Sequence, residues 1–399
     1  MIKKLSLTAL LALSTSLYAD NVKLATDGTG DFLIAPLYLA QDDICSVVKV
    51  FNTNETNSIL AKVAFREHVS SHEVDFPIFL SPGDVWVGEV CQAKDGSVLL
   101  TSTDDSNHPS ALKTLKVGQS LGLHSKNAIN RHADMAKGYV EIEGKSYTIN
   151  EVQKENIDFS KGYIEVFPIA QFNEGTKLKV NKNILVERWD NLERGNLSLP
   201  GLRKKGVDGN SLSGVVSFQT AGQETSSLPM TAFEGTHDRQ YAGSTISYNS
   251  DANAEMLLGK DKQKEILKLL QKPDLSFTYD NCGIDQYLNI TFPFSHKEKQ
   301  SRRFKLTIRD NQENKYTMIF SPLPNMADEL STFSVEELVN LTRDKEKFSE
   351  GMIQIKEITN NDIVQLGKNK TASILPIISR ISQIGRNCMV INAGYVPVK

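Results

Sequence analysis

The chain is predicted to be mostly β, built of antiparallel β-sandwich-like domains with minor helices. Three observations carry this expectation. Short apolar and β-branched runs follow one another between Gly, Pro, Asn and Asp turn signals. Helical periodicity is confined to two short segments. The composition, 40% hydrophobic and 23% charged, is that of a globular chain with enough apolar surface to build a core.

The strand signals are densest near the start. Phe32-Leu33-Ile34-Ala35-Pro36-Leu37-Tyr38-Leu39 is an extended apolar run. Ile44 to Phe51 is β-branched and ends in the turn-rich Asn52-Thr53-Asn54-Glu55-Thr56-Asn57. Ile59 to Phe65 begins again in partial alternation, and Asp75 to Leu80 leads into the turn Ser81-Pro82-Gly83-Asp84 before Val85-Trp86-Val87-Gly88-Glu89-Val90. Such spacing reads as a sandwich. A polar stretch then intervenes, centred on Asp104-Asp105-Ser106-Asn107-His108-Pro109. Later strands are expected at Ser213–Gln219, Leu275–Tyr279, Leu288–Phe292, Phe304–Ile308, Thr317–Phe320 and Met352–Ile355, with closing strands at Ser373–Ile378 and Met389–Asn392. One helix is expected over Lys260–Lys272, stopped by Pro273. Another begins at Ser334-Val335-Glu336-Glu337, whose Ser and Glu spacing is a capping box.

The first residues have the form of a secretory signal. Lys3 and Lys4 precede the apolar Leu5–Leu13, and Leu17-Tyr18-Ala19 precedes Asp20. That apolar core is too short to span about 30 Å of hydrocarbon. The first Cys is Cys45, so a lipid anchor is not expected, nor is a transmembrane segment after cleavage. The expected organisation is a signal peptide at 1–19, a sandwich-like domain at 20–100, a polar excursion at 101–136, a second β-rich region at 137–325, and a helix with closing strands at 326–399. Without Lys3 and Lys4, 43 basic residues stand against 48 acidic ones. That balance gives no reason to expect nucleic acid as a partner. The expected location is the periplasm, the cell surface or the medium. There the four cysteines, Cys45, Cys91, Cys282 and Cys388, have three possible pairings. Proximity along the chain favours Cys45 with Cys91 and Cys282 with Cys388.

The phrases Asp27 to Pro36, Val50-Phe51-Asn52-Thr53-Asn54, Ala64-Phe65-Arg66-Glu67 and Leu80 to Trp86 resemble a loose family of secreted bacterial β-rich surface proteins of unassigned function. Gly162-Tyr163-Ile164-Glu165-Val166 and Ile290-Thr291-Phe292-Pro293 are similar to later phrases of that family. The resemblance implies architecture and no reaction. In such proteins the polar excursion usually carries a Cys, where this chain has Asn107.

Each phrase that suggests chemistry lacks a part. Asp27-Gly28-Thr29-Gly30-Asp31-Phe32 resembles the opening of pectin methylesterases without their later Gln and Asp motifs, and reads as a Gly turn into a strand. Asp27 with Asp31, or Asp208 with Asn210, offers too few oxygens locally for the six to eight that calcium takes. His68 and His72 are four apart but lack the zinc-protease Glu directly after the first His, and are expected in an exposed connection. Gly118-Gln119-Ser120-Leu121-Gly122 spells the serine-hydrolase elbow without a convincing strand–turn–helix around it. Glu141 and Glu165 could pair as in a glycosidase, but read as the solvated face of strands. No catalytic, cofactor or metal residue is nominated. The expected function is a secreted or cell-surface structural or binding protein without catalytic activity, its partner an unknown surface or extracellular polymer or protein. A secreted hydrolase of extracellular polymers and a periplasmic assembly factor for surface structures are the alternatives. Mass spectrometry of the mature protein is expected to find an N-terminus within about three residues of Asp20. Recovery of the intact Met1 form alone would overturn the export expectation.

Overall fold

The computed structural model describes residues 22–41, 43–68, 73–94, 98–102, 104, 120–124, 139–142, 145–151, 159–173, 203–205, 211–220, 223–235, 265–266, 269, 271–272, 274–279, 286–291, 304–321, 330–342, 348, 350–357, 377–378 and 380–383. In chain order the strands are β1 (Lys23–Leu24), β2 (Phe32–Leu39), β3 (Ile44–Asn52), β4 (Asn57–Glu67), β5 (Glu73–Leu80), β6 (Val85–Gln92), β7 (Val98–Thr101), β8 (Ser120–His124), β9 (Tyr139–Ile142), β10 (Lys145–Glu151), β11 (Lys161–Asn173) and β12 (Arg203–Lys205). They continue with β13 (Leu212–Thr220), β14 (Gln223–Pro229), β15 (Thr231–Glu234), β16 (Gln271–Lys272), β17 (Asp274–Tyr279), β18 (Gln286–Thr291), β19 (Phe304–Asp310), β20 (Lys315–Ser321) and β21 (Leu330–Ser334). Helix α1 (Val335–Asn340) and strands β22 (Gly351–Glu357), β23 (Ile377–Ile378) and β24 (Arg380–Gln383) follow. The fold is mostly β and sandwich-like.

Two antiparallel sheets form the sandwich. Sheet I runs β1-β15-β2-β11-β4-β5, with β12 pairing β11. Sheet II runs β14-β13-β3-β6-β7-β8. The facing surfaces follow from the period of two along each strand. Leu33, Ala35, Ile59, Ala61, Val63, Phe65, Phe76 and Ile164 of sheet I meet Val48, Val50, Trp86, Val90, Leu100, Val216 and Phe218 of sheet II in one buried cluster. Among the described residues Trp86 is the largest fully buried side chain. Its ring lies 5.6 Å from Phe76, which stacks 6.2 Å from Phe65, which Tyr38 meets edge-on at 5.4 Å. Gly88 is required beneath that ring, because a Cβ there would collide with it.

The turn phrases close one end of the sandwich. The Asn52 amide donates to the carbonyls of Asn57, Leu80 and Ser81 at 2.8, 3.3 and 2.9 Å. Its own oxygen accepts from Asn54 N–H at 3.0 Å. Asp84 accepts from the N–H groups of Ser81 and Val85 at 3.0 and 2.9 Å, around Gly83 at φ +71°. These bonds satisfy backbone groups that a buried turn would otherwise strand.

The expected domain of 20–100 does not close on itself. Sheet I takes its middle strand, β11, from beyond Ser160, and sheet II takes β13 and β14 from residues 212–229. The polar excursion contributes β8, which pairs with β7. The expected helix over Lys260–Lys272 instead ends in strand, since Gln271–Lys272 is β16, with helical backbone described at 265–266 and 269. The expected strand at Met389–Asn392 lies outside the described residues.

A further layer covers the other face of sheet I. A third sheet runs β17-β22-β19-β20-β10-β9, antiparallel except for the parallel pairing of β10 with β20. Beside it lies the sheet β21-β18-β24, whose strands run against β11 and β2. Helix α1 forms as its capping box dictates. Ser334 Oγ accepts from Glu337 N–H at 3.1 Å, and Glu337 accepts from Ser334 N–H at 2.9 Å. Its buried residues Val335, Leu338 and Val339 share a core with Phe304, Leu306, Ile308, Ile353 and Ile355 of the third sheet.

Replacing Trp86 with Ala is expected to cost about 3–5 kcal/mol by urea unfolding, through lost burial and the void left between the sheets. A loss under about 1 kcal/mol would show that the ring does not bridge the two sheets.

Candidate functional site

Every position of β2 and of β4 is buried, because sheet I has sheet II on one face and the outer layer on the other. On β4 that burial includes Lys62, Arg66 and Glu67, and His68 follows at the strand's end. Charged groups withdrawn from water require partners. Arg66 Nε donates to Glu165 at 2.7 Å, across the diagonal of the β4–β11 pairing. Lys62 lies with its Nζ 5.7 Å from the Phe167 ring centroid, a cation–π contact. Lys161 pairs with Glu337 of the α1 capping box at 2.9 Å. The carbonyl of His68 accepts from Thr332 N–H at 2.7 Å, and its Nδ1 lies 3.3 Å from the Thr332 carbonyl oxygen. Nδ1 donates in that contact, which fixes the tautomer if the ring is neutral. These contacts form a polar seam: the Arg66–Glu165 and Lys62–Phe167 contacts tie β4 to β11 within sheet I, and the Lys161–Glu337 and His68–Thr332 contacts hold the outer layer to it.

The residues weighed for catalysis are not brought together. Glu165 is buried in its pair with Arg66 and is not on a solvated face. Glu141 stands opposite Ser146 in the third sheet's β9–β10 pairing, on a different sheet from Glu165. Ser120 opens β8 opposite Thr101, so its backbone is extended strand and not a tight elbow before a helix. His68 is buried in the seam and not in an exposed connection. His72, Asp208 and Asn210 lie outside the described residues. Asp27 accepts from the N–H and the hydroxyl of Thr29, both at 2.9 Å, which makes an Asx turn at Gly28. The Thr29 bonds hold its carboxyl below the usual range. Asp31, the other proposed calcium ligand, is buried at the start of β2. In the third sheet, burial first and the Asp310 charge second push Tyr279 up to about 12, while its hydroxyl donates to the Phe348 carbonyl at 2.7 Å.

Cys45 and Cys91 form a disulfide with a Cα–Cα distance of 4.5 Å. They face each other across β3 and β6, one step beyond the Ser46–Val90 pair, at the spacing of a non-hydrogen-bonded cross-strand site. Cys282 and Cys388 lie outside the described residues.

The disulfide stands on the outer face of sheet II, and the rest of that face is unusual in kind. Ser213, Phe51 and Val85 form one row across β13, β3 and β6. Val215, Lys49 and Val87 form the next, and Ser217, Val47, Glu89 and Thr101 the third. Gln219, the disulfide and Leu99 complete it. An antiparallel sheet with one face on a core normally turns polar residues outward. Here Phe51, Val85, Val87, Val215 and Leu99 all point outward and remain partly exposed, with Lys49 and Glu89 as the charges on these rows. Among the described residues this is the broadest run of outward-facing apolar side chains on a sheet.

Arg66→Met alone is expected to destabilise the protein by about 3–5 kcal/mol, because it leaves Glu165 buried without its guanidinium. Adding Glu165→Met should recover most of that loss in chemical denaturation, and an equal cost for single and double variants would show that the pair is not coupled. No protein family, no curated protein and no solved structure matches the chain, so the reading of this site rests on its own geometry.

Proposed function

We propose that the chain is an exported, non-catalytic binding protein, and that it uses the outer face of sheet II to hold a protein partner at the cell surface. The observation that supports this most is the outward placement of Phe51, Val85, Val87, Val215 and Leu99 on strands whose other face is already the core. A partner for this face is largely apolar, with an acidic group to meet Lys49 between Val215 and Val87 and a basic group to meet Glu89 in the neighbouring row. A highly charged polymer would find little complementary charge there.

Strand addition is a second reading, and one feature favours it. Strand β14 ends sheet II with no neighbour on its outer side among the described residues. The far edge of sheet I is less suited to this mode, because Pro77 within β5 removes a backbone donor.

Expressing Val87→Lys with Val215→Lys in the source cells, and fractionating them, tests the proposal. These side chains flank Lys49 in one row, so three cations would interrupt the apolar face. The variant is expected to leave the surface fraction for the medium or the soluble periplasmic fraction. Its unfolding free energy should stay within about 0.5 kcal/mol of the parent, as for surface substitutions generally. Unchanged surface retention would overturn the proposed face. Loss of retention upon shortening β14 alone would favour strand addition.

A further inference from the structure

The disulfide has a neighbour that a purely structural bridge does not require. Glu89 lies two positions before Cys91 on β6, so both side chains leave the same face of sheet II. A carboxylate oxygen of Glu89 and the sulfurs of Cys45 and Cys91 all lie within 4.8 Å of one another. Glu89 is exposed and the two cysteines are half-buried, so the group is open to solvent and to ions. The three residues stand on two hydrogen-bonded strands whose register is fixed from Ser46–Val90 through Phe51–Val85. Their positions are therefore set by the sheet and not by a loop.

We propose that, once this disulfide is reduced, Cys45, Cys91 and Glu89 form a site for a thiophilic divalent cation such as Zn²⁺. The reduction needs a dithiol reductant. The reductant gives up two electrons and two protons and becomes a disulfide, while the Cys45–Cys91 bond breaks to two thiols. Metal binding then displaces both thiol protons to solvent and leaves two thiolates. Zn²⁺ takes thiolates at about 2.3 Å and carboxylate oxygens at about 2.0–2.2 Å. Three donor atoms within 4.8 Å of one another can all reach a common point at those lengths after small rotations of their side chains. Directly opposed strand positions with Cα atoms 4.5 Å apart let two thiolates approach one ion from neighbouring strands. Three protein ligands leave a fourth tetrahedral position for water or for a donor from a partner. Oxidation closes the site, because a disulfide sulfur is a poor ligand and carries no negative charge. The patch would thus alternate between a covalent bridge and a metal centre according to redox state.

Thiol protection tests this in the full mature chain. The protein is reduced with a dithiol, freed of reductant, and alkylated with N-ethylmaleimide with and without Zn²⁺. Peptide mapping reads Cys45 and Cys91 separately from Cys282 and Cys388. Zn²⁺ is expected to slow labelling of Cys45 and Cys91 together, and Glu89→Gln to weaken that protection about tenfold or more in Zn²⁺ concentration. Circular dichroism of the reduced chain should retain the β signal. Equal labelling with and without Zn²⁺ would overturn the site, as would loss of the sheet on reduction. Protection undiminished in Glu89→Gln would overturn the assignment of the carboxylate. Cobalt substitution gives an independent reading, since thiolate-to-cobalt charge-transfer absorption should appear in the parent and vanish in Cys45→Ser.

Discussion

Burial of β4 on both faces is the constraint from which much of the architecture follows. Eleven consecutive positions of that strand are withdrawn from water, and the strand still carries a lysine, an arginine and a glutamate. Apolar partners alone could not cover it, because each charge needs an answer within the protein. The answers come from far along the chain. Glu165, 99 positions after Arg66, supplies one, and the Phe167 ring attracts Lys62. Two residues before Tyr163, Lys161 extends the same polar seam to Glu337 and so to α1. An all-apolar seam of the same volume would often be as stable or more so. The polar one has a geometric property instead: Arg66 meets Glu165 only in the observed β4–β11 register, and a one-residue slip would turn the partners to opposite faces.

Sheet II meets a different demand. One of its faces is core, while on the other Val47 and Ser217 are buried and Phe51, Val85, Val87, Val215 and Leu99 are partly exposed, so its central strands alternate where those of sheet I do not. Trp86 fills the space between the sheets, while its neighbours Val85 and Val87 point outward. The disulfide fastens β3 to β6 on the outer side of sheet II. The sandwich is thus secured from within by aromatic contacts and from without by a covalent bond.

This difference between the sheets decides what could be read from the sequence. Strands β2 to β6 announce themselves, because Gly, Pro and Asn turns bracket each apolar run, and the α1 capping box is visible as Ser334 with Glu337. The Cys45–Cys91 bond is legible too, as two cysteines in neighbouring strands. The third layer is not. Local alternation marks Glu165 as a surface residue, and only the arrival of β18, β21 and β24 above β2 and β11 makes it a buried one. The signal that could have revealed it is the pairing of period with charge: Lys62 and Arg66 share one face of a strand that is otherwise apolar from Ile59 to Phe65. Ser120 shows the reverse case, where letters that spell an elbow in one backbone are ordinary strand in another and the lack of a strand–turn–helix around them was already legible. The outward valines were equally hidden, because which face is core depends on the partner sheet.

The position of β11 has a consequence for the order in which the protein can take shape. It lies between β2 and β4, yet it is made after every strand from β1 to β10. Until it arrives, the two strands it will join have facing edges with nothing between them. A nascent chain ending at Ser160 can form the β4–β5 hairpin and the β3-β6-β7 ladder, but sheet I has a missing plank. Closing it needs contacts across a long stretch of chain, which makes folding slow and leaves sticky edges open in the meantime. The same delay keeps the early part of the chain from locking into a finished domain. For the export proposed above, in which the chain is threaded through a narrow channel before it folds, a topology whose keystone comes late is well suited.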